Sequence, residues 1–146
     1  MIDKKWLGHE LPVSTLMLEH GRLLAFARAI DESEPVYVDV EAARAAGYPD
    51  LLAPPTFLFA AEQDSGTQMA AVKAMGISLD KLLHGEQGFT WHRPACAGDT
   101  VSVHTRVSEI YEKKGGALEF VVLLSDVRNQ HDELAAELRG VLVCRH

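Results

Sequence analysis

The sequence predicts an α+β fold in which an antiparallel sheet packs against helices. In the first half of the chain apolar residues recur at helical spacing, whereas in the second half they alternate with polar residues as in strands. Helices that precede a run of strands are typical of α+β domains. With 146 residues, of which 47% are hydrophobic and 24% charged, the chain is expected to form one domain, residues 1–146, around one core.

The first helix is expected to begin near Leu18 and to end near Ile30. A mixed segment over residues 2–14 precedes it and has room for a short strand. Four apolar residues at positions i, i+3, i+4 and i+7 form one stripe of the helix: Leu23, Phe26, Ala27 and Ile30. The acidic run that follows, and then Pro35, oppose continuation of the helix. We therefore expect the helix to lead into an acidic turn.

Two further helices are expected before the strands begin. Asp39 resembles the N-cap of an alanine-rich helix that ends before Gly47. A long apolar helix is expected from Thr56, whose hydroxyl can cap it. Glycine weakens a continuous helix by about 1 kcal/mol relative to alanine, so a bend or break is expected near Ser65 and Gly66.

The second half of the chain predicts strands joined by tight turns. One segment alternates strictly between apolar and polar residues, as a strand with one buried face does. Another is apolar on both faces apart from Glu119, which is expected of a central strand. The expected strands cover residues 89–92, 100–107, 118–124 and 134–144, and the expected turns cover residues 112–116 and 128–133.

Charge and composition exclude several classes of function. The formal net charge of −7 disfavours binding to nucleic acid or to an anionic membrane. No apolar run approaches the roughly 20 residues of a membrane span, and the N-terminal segment lacks the apolar core of a secretory signal. Cys96 and Cys144 fit no metal-binding spacing, and no histidine pair has the HExxH pattern. We therefore expect a cytoplasmic protein with free thiols and no metal.

Three segments carry a resemblance to a known family. FARAIDESEPVYVD, residues 26–39, combines a helix end, an acidic turn, a proline and an apolar–aromatic–aspartate run. LLAPPTFLF follows at residues 51–59, and LLHGEQGFTWHRPACAGDTVSV, with its HGEQ, HRP and GD motifs, at residues 82–103. In this order they resemble the MaoC-like, or FAS1-like, N-terminal dehydratase domain, and the likeness extends over residues 16–143.

This resemblance implies a hot-dog fold, in which an antiparallel sheet wraps around a central helix. It also implies acyl thioesters of CoA or of acyl carrier protein as substrates, in fatty-acid or related metabolism, and no other cofactor. Active MaoC-like hydratases add water to a trans-2-enoyl thioester or remove it from an (R)-3-hydroxyacyl thioester, using an aspartate and a histidine in the motif GDxNPLHxD. Lined up from Pro35, this chain has Glu32 in place of that aspartate, Glu34 in place of the asparagine and Tyr37 in place of that histidine.

These replacements imply a noncatalytic or weakly catalytic subunit. A tyrosine ordinarily titrates near pH 10 and is a poor base at neutral pH, and Glu32 carries its carboxylate on a longer arm than aspartate. Such chains resemble the subunits that complete a paired sheet while another chain supplies the catalytic residues. A homodimer, or a heterodimer with a catalytic MaoC-like subunit, is therefore expected, because pairing covers an exposed sheet edge.

The candidate site residues follow from the same resemblance. The catalytic candidates are Glu32 and, as the base of a self-sufficient hydratase, His84 or His92. The substrate-binding candidates are Tyr37, Pro55, Thr56, Phe57, Glu86, Gln87 and Arg93. A structural interpretation stays open for each: an exposed turn for the acidic residues, strand-end hydrogen bonds for the histidines and a surface ion pair for Arg93. Carboxylates on the central helix, Glu62 or Asp64, leave a hot-dog acyl-CoA thioesterase as an alternative.

Overall fold

Five strands form one antiparallel sheet, which confirms the α+β class. The computed structural model describes residues 1–146. The strand order across the sheet is β1-β3-β4-β5-β2, so the apolar segment predicted to be a central strand does lie at the centre, in β4. The strands are β1 (Ser14–Met17), β2 (Leu82–Trp91), β3 (Thr100–Lys113), β4 (Leu118–Arg128) and β5 (Leu134–Arg145).

The helices are short and precede all strands except β1. They are α1 (His20–Ala29), α2 (Pro35–Val38), α3 (Val40–Ala45), α4 (Leu58–Gln63) and α5 (Thr67–Ala74), with 3-10 turns at Lys4–Trp6, Pro55–Phe57 and Leu79–Lys81. None of these helices has both the length and the apolar character that a membrane crossing requires. The single turn of α2 is not part of the sequence prediction.

Helices α1 and α3 begin and end close to the expected places. Helix α1 stops at Ala29, and its predicted stripe is buried at Leu23 and Ala27. Ile30 lies just beyond the last helical residue and is 49% exposed, so the stripe is one residue shorter than predicted. Asp39 caps α3 as expected, because its side chain accepts a hydrogen bond from the backbone N–H of Glu41 at 2.9 Å.

The long apolar helix is divided where the sequence predicts a break. Helix α4 ends at Gln63 and α5 begins at Thr67, with Gly66 between them at φ +70°, a left-handed conformation that favours glycine. The prediction that Thr56 caps this helix is wrong. Thr56 lies inside the 3-10 turn Pro55–Phe57 and its side chain makes no capping bond, because the preceding prolines start the turn and Phe57 N–H closes it onto Pro54 O at 2.8 Å.

Strand β2 is longer than the sequence predicts. It begins at Leu82 rather than near residue 89, and it pairs with β5 through the polar stretch HGEQG. That stretch has a low intrinsic strand preference, but pairing along β5 supplies its backbone hydrogen bonds, and such tertiary pairing overrides local propensity. The turn predicted at 112–116 lies at 114–117, because β3 continues to Lys113, and the turn predicted at 128–133 lies at 129–133.

The concave interior holds two apolar clusters separated by a polar pair. One cluster contains Val103, together with buried residues of α1 and α4. The other contains Val107, together with residues of α5 and the far ends of β4 and β5. Between them Thr105 and Ser125, opposite each other on β3 and β4, share a hydrogen bond of 2.8 Å. The core of the sheet therefore has polar groups at its middle, directly under the central helices.

We expect alanine at Gly85 to destabilise the protein by about 1–3 kcal/mol, because it forces extra volume into a packed contact. Gly85 lies where the register of β2 against β5 shifts, and a Cβ there would meet Cγ2 of Val143 at 2.7 Å. Gly88→Ala is the matched control on the same strand, since its Cβ would make only ordinary contacts, starting at 3.7 Å from Arg139. Urea denaturation of both variants tests this expectation, and equal midpoints would contradict it.

Candidate functional site

A cavity of about 320 Å³ lies where α2, the loop before α4 and the end of β2 meet. Four of the residues that the sequence singles out lie on its wall: Tyr37, Pro55, His92 and Arg93. They come from three separate parts of the chain, and only the tertiary fold brings them together. Most of the remaining wall is apolar, which suits an uncharged ligand better than an ionic one.

Backbone hydrogen bonds hold Tyr37 at this wall. Pro35 starts the single turn of α2, where its missing N–H costs nothing. The turn is closed by Asp39 N–H, which donates to Pro35 O at 2.8 Å. Leu52 N–H then donates to Val36 O at 3.0 Å, which ties α2 to the loop on the other side of the cavity. Backbone hydrogen bonds of the residues before and after Tyr37 thus set its position.

The opposite wall is formed by Trp91 and the loop before α4. The indole N–H of Trp91 donates to Pro55 O at 3.2 Å, which joins the end of β2 to the start of the central helix. Ala53 N–H donates to Ala95 O at 2.8 Å, and the ring of Trp91 stacks on Phe89 with centroids 5.4 Å apart. These contacts give the cavity a fixed aromatic wall.

Tyr37 is a hydrogen-bond donor at neutral pH. Burial raises the pKa of its phenol above the ordinary value of 10, and the neighbouring groups Glu32, Tyr48 and Glu34 raise the pKa further. The phenol therefore keeps its proton and cannot serve as a base near pH 7. Tyr37 is half-buried, so its O–H can donate to water or to a ligand.

Glu32 lies beside this wall and is half-buried. Its Oε1 accepts the backbone N–H of Glu34 at 2.9 Å, and its own N–H donates to Ala27 O at 2.9 Å. The acidic turn is thus closed by its own side chain. Glu32 affects the cavity through its charge, which helps to raise the pKa of Tyr37, although it is not one of the wall residues.

The histidine and the arginine on the cavity wall are both already paired with carboxylates. Nε2 of His92 lies 2.7 Å from Oε2 of Glu137, and Arg93 lies 3.4 Å from Glu133. The surface ion pair that the sequence left open for Arg93 is therefore present. The rim of the cavity offers no unpaired cation for a phosphate group.

The catalytic candidate His84 and the substrate-binding candidates Thr56, Glu86 and Gln87 lie away from the cavity. His84 contacts Gln87, with Nε2 and Oε1 3.0 Å apart, and stacks on Phe59 at 5.4 Å. Glu86 pairs with Arg139 at 2.8 Å on the exposed face of the sheet. Thr56 is exposed. Of the two candidate histidines, only His92 shares a wall with Tyr37.

Phe57 lies in the hydrophobic core. It is 3% exposed and belongs to the apolar cluster around α1 and α4. Its ring packs edge-to-face against Phe26 at 5.3 Å, and the guanidinium of Arg22 lies over it at 5.6 Å. The structure thus gives Phe57 a packing role and leaves the cavity wall to its neighbours.

Glu62 and Asp64 occupy contrasting environments. Glu62 is 2% exposed, and its Oε1 accepts the hydroxyl of Ser125 and, at 3.5 Å, that of Thr105, while Oε2 has no partner. Burial raises the pKa of this carboxyl above its ordinary value, although the hydrogen bonds oppose the shift. Asp64 instead pairs with Arg22 at 2.6 Å near the surface. Neither carboxylate lines the cavity.

Sequence reasoning misses the six wall residues that complete the cavity: Leu52, Ala53, Leu58, Trp91, Pro94 and Ala95. Trp91 could have been identified, because it immediately precedes the HRP motif and a large aromatic at a strand end commonly packs on a neighbouring element. The others are small or aliphatic and carry no local signal. Their place on the wall depends on how the loop before α4 crosses the end of β2.

Comparison with known proteins gives the family. The family described as "FAS1-like, dehydratase domain region" matches residues 5–138. A UPF0336 protein of Streptomyces griseus is 32% identical over 146 residues, which covers 99% of this chain and 95% of the relative. A UPF0336 protein of Parafrankia is 40% identical over 127 residues, which covers 87% of this chain and 82% of the relative.

Solved structures show the fold. The C-terminally truncated HadBC complex of Mycobacterium tuberculosis, a 3R-hydroxyacyl-ACP dehydratase, is similar with a TM-score of 0.81 at 24% identity, covering 94% of this chain and 96% of that one. The R-hydratase PhaJ1 of Pseudomonas aeruginosa is similar with a TM-score of 0.69 at 19% identity, covering 96% and 82%. The predicted hot-dog fold is therefore confirmed, and the chain belongs to the FAS1-like, MaoC-like dehydratase domain family.

Proposed function

We propose that this chain is the noncatalytic or weakly catalytic subunit of an (R)-specific enoyl-thioester hydratase or 3-hydroxyacyl dehydratase. Its cavity holds part of the acyl group of a CoA or acyl carrier protein thioester in the cytoplasm. A second MaoC-like chain, with an intact aspartate–histidine pair, pairs with it and carries out the proton transfers.

The observation that carries this proposal is the chemistry of Tyr37. It stands on the cavity wall where the family motif has its histidine, and burial raises the pKa of its phenol. A hydratase needs a group that accepts a proton from water near neutral pH. A phenol that stays protonated cannot do this, whereas it can bind and orient an acyl group.

The edge of the sheet supports a paired state. Strand β2 is the last strand on its side and has a neighbour only in β5. It is ten residues long, and Leu83 and Trp91 on it are exposed. An unprotected edge of this length is a ready template for a strand of another chain. The HadBC neighbour is described as a complex, and so is the ChsH1-ChsH2 neighbour of M. tuberculosis, which has a TM-score of 0.66 at 22% identity.

Co-expression with a MaoC-like chain that has the intact motif tests the proposal. We expect the two chains to co-purify, and the pair to hydrate crotonyl-CoA at least about 100-fold faster than this chain alone, since one positioned acid–base group contributes about 10²–10⁴-fold. The partner chain alone is the matched control. Full activity of this chain by itself would overturn the noncatalytic role, and no effect of this chain on its partner's stability or turnover would overturn the pairing.

A self-sufficient hydratase is the second candidate, and one contact favours it. His92 lies on the cavity wall and is oriented by Glu137, in the manner of a histidine held by a carboxylate. In this case Glu32→Gln and His92→Asn would each abolish hydration of crotonyl-CoA by the isolated chain, whereas His84→Asn would not. The thioesterase alternative has less support, because Glu62 is on the buried face of α4 and Asp64 is paired with Arg22.

A further inference from the structure

Cationic side chains are concentrated at the end of the sheet where β3 turns back into β4. Lys113 ends β3, Lys114 begins the turn and Arg145 ends β5. Lys113 lies opposite Leu118, which lies opposite Arg145, so these residues form one row across three strands. Lys81 directly precedes β2, which starts beside the end of β5. We call this region, residues 3–5, 80–82, 112–119 and 144–146, the basic end of the sheet.

The charge of the basic end is opposite to that of the rest of the protein. Residues 3–5 belong to it because Lys4 lines the same cavity as Tyr111 and Glu119. The region contains six of the 14 lysine and arginine residues but only four of the 21 acidic residues, so its formal charge is +2 and that of the remaining chain is −9. Of the six cations, only Lys5 is in an ion pair, with Asp3. The other five are exposed and available to an anionic partner.

An apolar row on the outer face of the sheet adjoins the basic end. Tyr111, Phe120 and Val143 lie opposite one another on β3, β4 and β5, and Leu83 continues the row on β2. These residues alternate along their strands with core residues and therefore point away from the core. The rings of Tyr111 and Phe120 stack with centroids 4.8 Å apart, and Nζ of Lys113 lies 5.0 Å from the centroid of Phe120. An apolar centre with charged residues at its margin is the composition of a protein interface.

Charge and shape together favour an acidic protein as the occupant of this surface. Most of this chain repels such a partner, because the remaining residues carry a formal charge of −9, and only the basic end attracts it. A free phosphate or nucleotide would use the cations and leave the apolar row exposed to water. A protein with acidic residues around an apolar patch would cover both.

The basic end and the cavity lie at opposite ends of β2. Lys81 precedes the first residue of the strand, and His92 on the cavity wall follows the last. The ten residues of β2 span about 30 Å. Two related chains that pair symmetrically through the same edge strand place the two strands antiparallel, so the start of one lies beside the end of the other. In such a pair the basic end of this chain lies beside the cavity end of its partner.

We propose that the basic end docks the acidic carrier protein that holds the acyl thioester, and thereby brings the thioester to the catalytic partner chain. The lysines and Arg145 bind carboxylates of the carrier protein, and the row around Phe120 packs against its apolar side chains. This inference rests on the proposed function and extends it. It gives the noncatalytic subunit the task of recruiting the substrate, and it selects a carrier protein over free CoA as the group that holds the acyl chain.

Fluorescence anisotropy of a labelled holo acyl carrier protein, taken from the organism that encodes this chain, measures the docking. The full chain is compared with the double variant Lys113→Glu, Lys114→Glu and with Lys81→Glu, and thermal melts check the folding of each. We expect the double variant to bind at least about tenfold more weakly, because each exposed ion pair contributes a few-fold and charge reversal adds repulsion. Lys81→Glu should weaken binding by a smaller factor, and added salt should weaken binding by the parent protein.

Arg106→Glu is the matched control, since Arg106 is an exposed residue of β3 outside the basic end. It should leave the affinity within about twofold of the parent, and an equal loss in this variant would reduce the effect to net charge and overturn the docking site. Binding of free CoA that disappears in the same lysine variants would overturn it as well, in favour of a phosphate site. No binding of the carrier protein, while the paired chains still hydrate crotonyl-CoA, would overturn the docking and leave the proposed function in place.

Discussion

Replacing Phe57 with alanine is expected to lower the free energy of unfolding by about 3–5 kcal/mol, as large-to-small changes at buried aromatics do. The side chain is 3% exposed and lies at the junction of α1 with the start of the central helix. Its removal leaves a void against Phe26, whose ring packs on it edge-to-face at 5.3 Å. Helix α1 and the start of the central helix would thereby lose their shared contact.

Urea denaturation of the full chain measures this loss. Phe59→Ala is the matched control, because Phe59 lies two residues further along, in α4, but is only half-buried and stacks on the exposed His84. We expect it to cost clearly less than Phe57→Ala. A stable Phe57→Ala protein with impaired ligand binding would instead return Phe57 to the substrate-binding residues.

Glu62→Gln is expected to make the protein more stable than the parent at high pH but not at low pH. Burial raises the pKa of Glu62 above its ordinary value of 4.5, so the folded chain holds this proton more tightly than the unfolded chain does. Below pH 4.5 Glu62 is protonated in both the folded and the unfolded state, so it makes no pH-dependent contribution to stability. As the pH rises from 4.5 towards the raised pKa, the unfolded state alone loses its proton, and the parent loses about 1.4 kcal/mol of stability per pH unit.

The Glu62→Gln variant has no ionisable group at this position, so its stability does not decline in this way as the pH rises. It retains an oxygen that accepts the hydroxyl of Ser125, and it has nearly the same volume. The hydroxyl of Ser125 and the nearby His84 both oppose the rise in the pKa of Glu62, so His84→Asn belongs in the same series to separate its contribution.

Thermal melts of the parent, Glu62→Gln and Asp64→Asn between pH 4 and pH 9 test the expectation. Asp64→Asn removes an exposed carboxylate from the end of the same helix and should follow the parent in its pH dependence. Parallel curves for the parent and Glu62→Gln would show that this carboxyl does not titrate differently on folding.

Much of the fold can be read from local patterns. The helix stripe at Leu23 and Ala27, the cap at Asp39 and the break at Gly66 all depend on residues close together in the chain. Spacing, side-chain capping and glycine conformation act over a few residues, so a single sequence is enough to predict them. Predicting the hot-dog arrangement required more than local patterns, namely three segments that resemble the family and occur in the family's order.

Which side chains line the cavity is less predictable from the sequence. Tyr37, Pro55, His92 and Arg93 were identified through motifs, yet motifs also selected Thr56, Phe57, His84, Glu86 and Gln87, which the structure places elsewhere. A motif identifies residues that are neighbours in the sequence, whereas the wall of a cavity is formed by all the side chains that face that cavity, from any part of the chain. For example, His84 lies near the start of β2 and His92 directly follows its end, and only His92 reaches the cavity.

The sequence by itself determined the α+β class, the helix cap at Asp39, the break at Gly66, and the replacement of a histidine by Tyr37 in the acidic turn. Only the tertiary structure decided that Tyr37 faces a largely apolar cavity, that Glu62 is buried over Thr105 and Ser125, and that β2 pairs through a polar stretch. The reason is physical: local preferences depend on adjacent residues, whereas burial, pKa shifts and cavity shape depend on groups that meet only when the sheet and helices pack.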